Sequence, residues 1–292
     1  MKKALRKLER KFRKKQSFTE IDKTFLDKDK EQVLRTKGIK SIPNSKFRTG
    51  GKNSYAEWAH VVGIFQTIFY EHLNEHFNNN ILDIGCGTGL LSMACEPFIN
   101  DKGTYLGLDV IKNNIDFANG NYNNPLVNFQ HFDVQNLTYA SQQQAKQIPW
   151  PIKDKSMSMV TALSVWTHLN QEDAIFYFCE VARVLKNDGI AVITFFYLDD
   201  IYLNSLSKRS NNVGRYHSTN QMKWVFGKKA YDSLSWYTTD WTKVAEDAIA
   251  IDENGMKTLL ERSGLKIKKY YPGNWKEIPG AYFQDIMVLQ RK

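Results

Sequence analysis

Ile81-Leu82-Asp83-Ile84-Gly85-Cys86-Gly87-Thr88-Gly89 is the stretch that decides the fold, and Asp109 follows 20 positions after Gly89. An apolar run broken only by Asp83 reads as a buried strand. Gly85, Gly87 and Gly89 then let the backbone turn sharply and approach a ligand that side chains would block. Thr104–Asp109 reads as a second strand, with an acidic residue at its end placed to accept hydrogen bonds from ribose hydroxyls. The glycine spacing argues against a nicotinamide cofactor. That fingerprint is G-x-G-x-x-G, whereas here the third glycine comes one residue early and Leu90 holds the expected position. Asp83 would also repel a pyrophosphate, but not a ligand carrying an ammonium and a sulfonium.

The alternation continues outward. A long helix is expected after Ser54 and Glu57, which form a capping-box pattern, ending near Phe77. Helices are expected at 90–98 and 112–119 and strands at 127–132, 158–163 and 190–196, with a capped helix from Asn170 stopped by Asn187-Asp188-Gly189. Two final strands, 265–271 and 284–290, read as a hairpin at the sheet edge. This order predicts a doubly wound α/β sheet with helices on both faces and ligands beyond the carboxyl ends of the strands. Residues 198–245 break the rhythm with dense aromatics and read as a cap over the pocket mouth; residues 138–148 read as a Gln-rich surface insertion.

Composition is that of an ordinary globular chain, with 42% apolar and 24% charged residues in 292. Three cysteines without metal or redox spacing favour a reducing compartment, and a cytoplasmic location is expected. No apolar h-region follows the basic N-terminus, so a secretory signal is not expected. The net charge of +9 is local: residues 1–16 hold nine Lys or Arg against Glu9 alone, while the other 276 residues carry 31 basic and 30 acidic groups. Leu5, Leu8 and Phe12 give this cationic arm a narrow apolar stripe. Its readings are peripheral contact with an anionic membrane, a nucleic-acid arm, or a solvated tail. The expected division is an arm and linker over residues 1–53 and a catalytic domain over 54–292.

The Asp83-x-Gly85-x-Gly87-x-Gly89 pattern resembles the nucleoside-binding loop of class I S-adenosylmethionine-dependent methyltransferases. His131-Phe132-Asp133-Val134, Ile148-Pro149-Trp150-Pro151, Ala162–Leu169 and Glu180–Gly189 are similar to further segments of that family. The resemblance implies a Rossmann-like seven-stranded sheet of order 3-2-1-4-5-7-6 with strand 7 antiparallel. It implies S-adenosyl-L-methionine as cofactor, with contacts at Asp83, Gly85, Cys86, Gly87, Gly89, Asp109, Val110, Asp133, Val134 and Ser164. The family's usual Phe-Asp entering strand 4 is replaced by Met157-Ser158.

For an acceptor hydroxyl a base is needed, and His168, just past strand 4, is the candidate. Asp199 and Asp200 are second choices whose bland reading, a solvated turn, is favoured. His72 and His76, at i and i+4, read as a surface pair, and no metal site is expected. Leu163-Ser164-Val165-Trp166 lacks the Asn/Asp-Pro-Pro-aromatic run of adenine-amine DNA methyltransferases, and no Pro precedes a cysteine as in cytosine-C5 enzymes. The expected acceptor is therefore a small molecule, a glycan or a lipid-linked compound, methylated at oxygen. The rivals are an RNA-modifying enzyme using the arm and a non-catalytic binding module.

Overall fold

A computed structural model of the chain describes residues 41–50, 52–100, 102–140 and 147–292. The basic arm and most of the expected insertion lie outside them. Strand β1 (Asn80–Ile84) runs parallel to β2 (Thr104–Asp109) on one side and β4 (Met157–Ala162) on the other. With β3 (Val127–His131), β5 (Leu185–Phe195), β10 (Leu265–Tyr271) and β11 (Asp285–Arg291), they form one sheet ordered β3-β2-β1-β4-β5-β11-β10. Only β11 is reversed relative to the rest, being antiparallel to both β5 and β10. In family order this is 3-2-1-4-5-7-6. The final hairpin forms one edge of the sheet, with β10 outermost and β11 paired with β5.

Alternate side chains feed two cores, as strand periodicity requires. Ile81, Tyr105, Met159, Val192 and Val288 point to the face covered by α1 (Tyr55–His72), α2 (Leu90–Cys95) and α3 (Lys112–Asn121). Leu82, Leu108, Val160, Ile193 and Met287 point to the face covered by α4 (Gln171–Val184) and α6 (Glu253–Ser263). Trp58, Phe65 and Phe69 of α1 are fully buried, each worth about 1.5–3 kcal/mol of transfer free energy.

The Ser54–Glu57 capping box forms, but α1 ends at His72 rather than near Phe77. The chain then turns in, with Leu73 buried and the Asn79 amide donating to the carbonyls of Glu75 and Phe98. His72 is buried as well, 2.8 Å from the Tyr271 hydroxyl, and burial lowers its pKa. His76 lies beyond the helix and stacks on Tyr70, so the two histidines are not a surface pair. Pro97 shortens α2, whose last turn tightens into a 3₁₀ turn at Glu96–Phe98. The expected stop at Asn187-Asp188-Gly189 sits inside β5: the ladder passes from Met157 with Leu185 to Met159 with Ile190, and four residues bulge out between.

Between β5 and α6 the chain builds a second sheet, β6-β9-β8-β7, from β6 (Tyr197–Leu198), β7 (Lys228–Lys229), β8 (Trp236–Thr238) and β9 (Ala250–Asp252), with α5 (Asp200–Leu206) packed nearby. None of the aromatics of residues 198–245 lines the cavity at the glycine loop; Tyr202 and Phe226 pack with Phe196 and Trp275 in a separate core. No helix among the described residues is long and apolar enough to cross a membrane.

Candidate active site

The β1–α2 loop opens a cavity of about 380 Å³ at the carboxyl edge of the sheet. Gly85 adopts φ +64°, and a Cβ there would stand 2.5 Å from Val165 Cγ2. Gly89, at φ +91°, lies as close to the ring of Tyr122. Any side chain at either position would force the loop off the neighbouring segment.

Asp109 ties this loop to the next. Its Oδ2 accepts from the Gly87 N–H and its Oδ1 from the Ile111 N–H, both at 2.8 Å. Burial raises its pKa, opposed by those two hydrogen bonds. Asp83 is more extreme. It is 1% exposed; Oδ2 accepts from the Tyr105 hydroxyl at 2.5 Å, and Oδ1 has no partner. Burial pushes its pKa up to about 8, against the lowering effect of the Tyr105 bond. Burial also pushes the Cys86 thiol up, which removes it as a nucleophile at neutral pH.

Past β4, Ser164 has the left-handed conformation at φ +64°. Its N–H donates to Thr194 Oγ1 at 2.7 Å and its Oγ accepts from Gln284 Nε2 at 2.8 Å. Thr194 Oγ1 donates in turn to Gln284 Oε1 at 2.7 Å, closing a ring of three side chains that fixes the strained residue. The following 3₁₀ turn (Trp166–His168) presents His168 to the cavity. Its Nδ1 lies 2.7 Å from the Glu246 carbonyl, an obligate acceptor, so the proton is on Nδ1. Nε2 is left with its lone pair, 3.2 Å from the Tyr139 hydroxyl. Burial lowers the His168 pKa, which keeps the ring neutral.

Of the residues singled out from the sequence, Asp83, Gly85, Cys86, Gly87, Asp109, Val110, Val134, Ser164 and His168 line one cavity. Gly89 stands behind the loop, and Asp133 is exposed outside the lining. Asp199 is structural rather than solvated: it caps α5 at the Tyr202 N–H and pairs with the fully buried Lys276 at 2.9 Å. Among the described residues no cluster suits a metal ion.

The sequence reading missed Thr49, Gly50 and Lys52, which line the cavity beside the glycine loop. Residues 41–53 had read as the end of a linker, but residues 41–50 and 52–53 dock. Ile42 and Arg48 are buried, and Phe47 stacks on Phe117 at 4.0 Å. The Arg48 guanidinium donates to the carbonyls of Pro43 and Asn53. Tyr139, Trp150, Tyr177 and the support from Gln284 and Thr194 were also not singled out as site elements, since nothing in local spacing announces partners 90 and 120 residues apart.

Residues 82–193 match the family model of a methyltransferase domain. The chain is also similar in fold to a protein of Pyrococcus horikoshii, at 15% identity over 91% of this chain and 99% of that one, with a TM-score of 0.50. Weaker likenesses, both at a TM-score of 0.49, are to a S-adenosylmethionine-dependent methyltransferase of Clostridium acetobutylicum (13% identity, 80% of this chain, 92% of that one) and to the geranyl diphosphate C-methyltransferase of Streptomyces coelicolor (10% identity, 81% and 82%). The domain match over residues 82–193, the sheet order and the glycine loop together support a class I S-adenosylmethionine-dependent methyltransferase. The residues present fit that cofactor. An unpartnered buried carboxylate oxygen awaits a cation, two glycines keep the loop open, and a second carboxylate stands at the end of β2.

Proposed function

We propose that the chain methylates a hydroxyl of a small-molecule, glycan or lipid-linked acceptor, with His168 as the base. One observation carries this reading. His168 lines the cavity as a neutral imidazole whose Nδ1–H is held by a carbonyl and whose Nε2 is basic. When bound, S-adenosylmethionine supplies the electrophilic methyl carbon. Asp109 would take the ribose hydroxyls, Asp83 Oδ1 the ammonium, and Gly85, Cys86, Gly87, Val110, Val134 and Ser164 the surrounding contacts. An acceptor hydroxyl reaching His168 would replace the Tyr139 hydroxyl at Nε2. The Glu246 carbonyl then stabilises the imidazolium formed as the proton arrives. The flat faces of Trp150 and Tyr177, stacked at 5.7 Å and both lining the cavity, suit a ring-bearing ligand.

His168→Ala should lower kcat by about 10²–10⁴-fold on hydroxyl acceptors and leave the cofactor Kd unchanged. Because the His168 pKa is lowered, the acid limb of kcat should fall below the ordinary histidine value of 6.5. An unaltered rate in this variant removes the base assignment. The basic arm, outside the described residues, is proposed on charge alone to touch an anionic membrane surface. Vesicle flotation and RNA gel shift, with and without residues 1–16, separate that from an RNA-binding role.

A further inference from the structure

We propose that residues 41–50 and 52–53 form a strap that completes the cofactor site, and that the Lys52 ammonium receives the carboxylate of the cofactor's amino-acid end. This rests on the methyltransferase reading of the cavity. An α-amino acid is a zwitterion, so a site that buries it must offer an acceptor for the ammonium and a donor for the carboxylate. Asp83 Oδ1 is the first of these, buried and without a partner. Lys52 has the chemistry of the second.

Lys52 lines the same cavity as Asp83 and Gly87, in company with Thr49, Gly50 and Trp58. Its Nζ donates to the Gly50 carbonyl at 3.2 Å and lies 5.7 Å from the Tyr282 ring centroid. It makes no ion pair among the described residues. The nearby Glu57 carboxylate is committed to the helix cap, where it accepts from the N–H groups of Asn53 and Ser54 and from the Ser54 hydroxyl.

The strap is anchored on both sides of the lysine. Trp58 Nε1 donates to the Lys52 carbonyl at 3.1 Å, and the Thr88 hydroxyl of the glycine loop donates to the Phe47 carbonyl at 2.6 Å. Arg48 holds the intervening turn closed through Pro43 and Asn53. A cation at a cavity wall, with its backbone pinned and no ion-pair partner among the described residues, is preorganised for an anionic ligand group.

The test is a cycle between protein and ligand, read by calorimetry on the full chain. Wild-type protein should bind S-adenosylmethionine roughly ten-fold or more tightly than decarboxylated S-adenosylmethionine. In Lys52→Met, which keeps the apolar stem, that preference should vanish, while affinity for decarboxylated S-adenosylmethionine and for methylthioadenosine stays within about two-fold of wild type. Lys52→Arg should keep part of the preference, which separates charge from packing. If Lys52→Met retains the full preference, Lys52 is a solvated lysine and the proposal is overturned while the cofactor site stands. If the wild-type protein binds none of the three compounds, the cofactor reading falls with it.

Discussion

Asp83 and Asp285 are both buried carboxylates near the same edge of the sheet, and they are treated in opposite ways. Asp285 is 0% exposed and saturated. It accepts from the N–H groups of Gly273 and Tyr197, from Trp275 Nε1, and from the buried Lys276, with the Tyr270 hydroxyl at 3.2 Å. It links the β5–β6 junction to the segment before β11 and leaves nothing for a ligand. Asp83 has one phenolic donor and one bare oxygen. A buried polar atom without a partner costs roughly 1–3 kcal/mol, a cost that a bound cation would relieve. One carboxylate holds the fold, and the other keeps an oxygen without a partner.

The contrast breaks most severely at Lys276. Lys276→Met should strand Asp285 as an uncompensated buried acid and cost about 3–5 kcal/mol in urea-induced unfolding. Asp83→Asn should cost little stability at neutral pH, because burial raises the pKa to about 8, so the ligand-free side chain is mostly protonated there and gives up its proton only when a cation binds. The same variant should weaken S-adenosylmethionine binding by about 1.5–3 kcal/mol, read by calorimetry, through loss of a charge-assisted bond. The smallest effect sharpens the comparison through pH. Asp83 releases its proton near 3.8 when unfolded and near 8 when folded. The folded chain therefore binds the extra proton in that window. The stabilisation is complete below its lower end and is lost as pH rises to the upper. Unfolding free energy should decline by at most about 1.4 kcal/mol per pH unit between them. Asp83→Asn should remove this component of the slope; an identical pH profile in the variant would show that Asp83 ionises normally.

The sequence spoke most clearly where partners are close along the chain. The Asp83–Gly89 loop, the Asp109 terminus of β2 and the Ser54 and Asn170 caps all depend on residues within one turn or one crossover. Sheet order came with the family pattern rather than from local signals. What stayed hidden depends on distance. The parallel pairing of β6 with β9 joins residues 197–198 to 251–252 across the aromatic segment, and no periodicity in two-residue strands announces it. The docking of residues 41–50 and 52–53 was masked by their polarity. Their anchors are a buried arginine satisfied by backbone carbonyls and one stacked phenylalanine, not an apolar stripe. Asp199 looked solvated because its partner Lys276 lies 77 residues later, and a lysine is seldom fully buried. The role of Asp83 as an unpartnered acid was half visible: its place inside an apolar strand was plain, but only the tertiary structure shows which oxygen lacks a donor.

The ring of Ser164, Thr194 and Gln284 has a consequence for biosynthesis. The floor beside the nucleoside loop is braced by a side chain that a ribosome adds 120 residues after the one it supports. A nascent polypeptide can pair its parallel strands early, yet the catalytic pocket stays unfinished until the reversed β11 slides in beside β5. Competence for methyl transfer should therefore arrive abruptly, once Gln284 and β11 have been made, instead of growing with chain length.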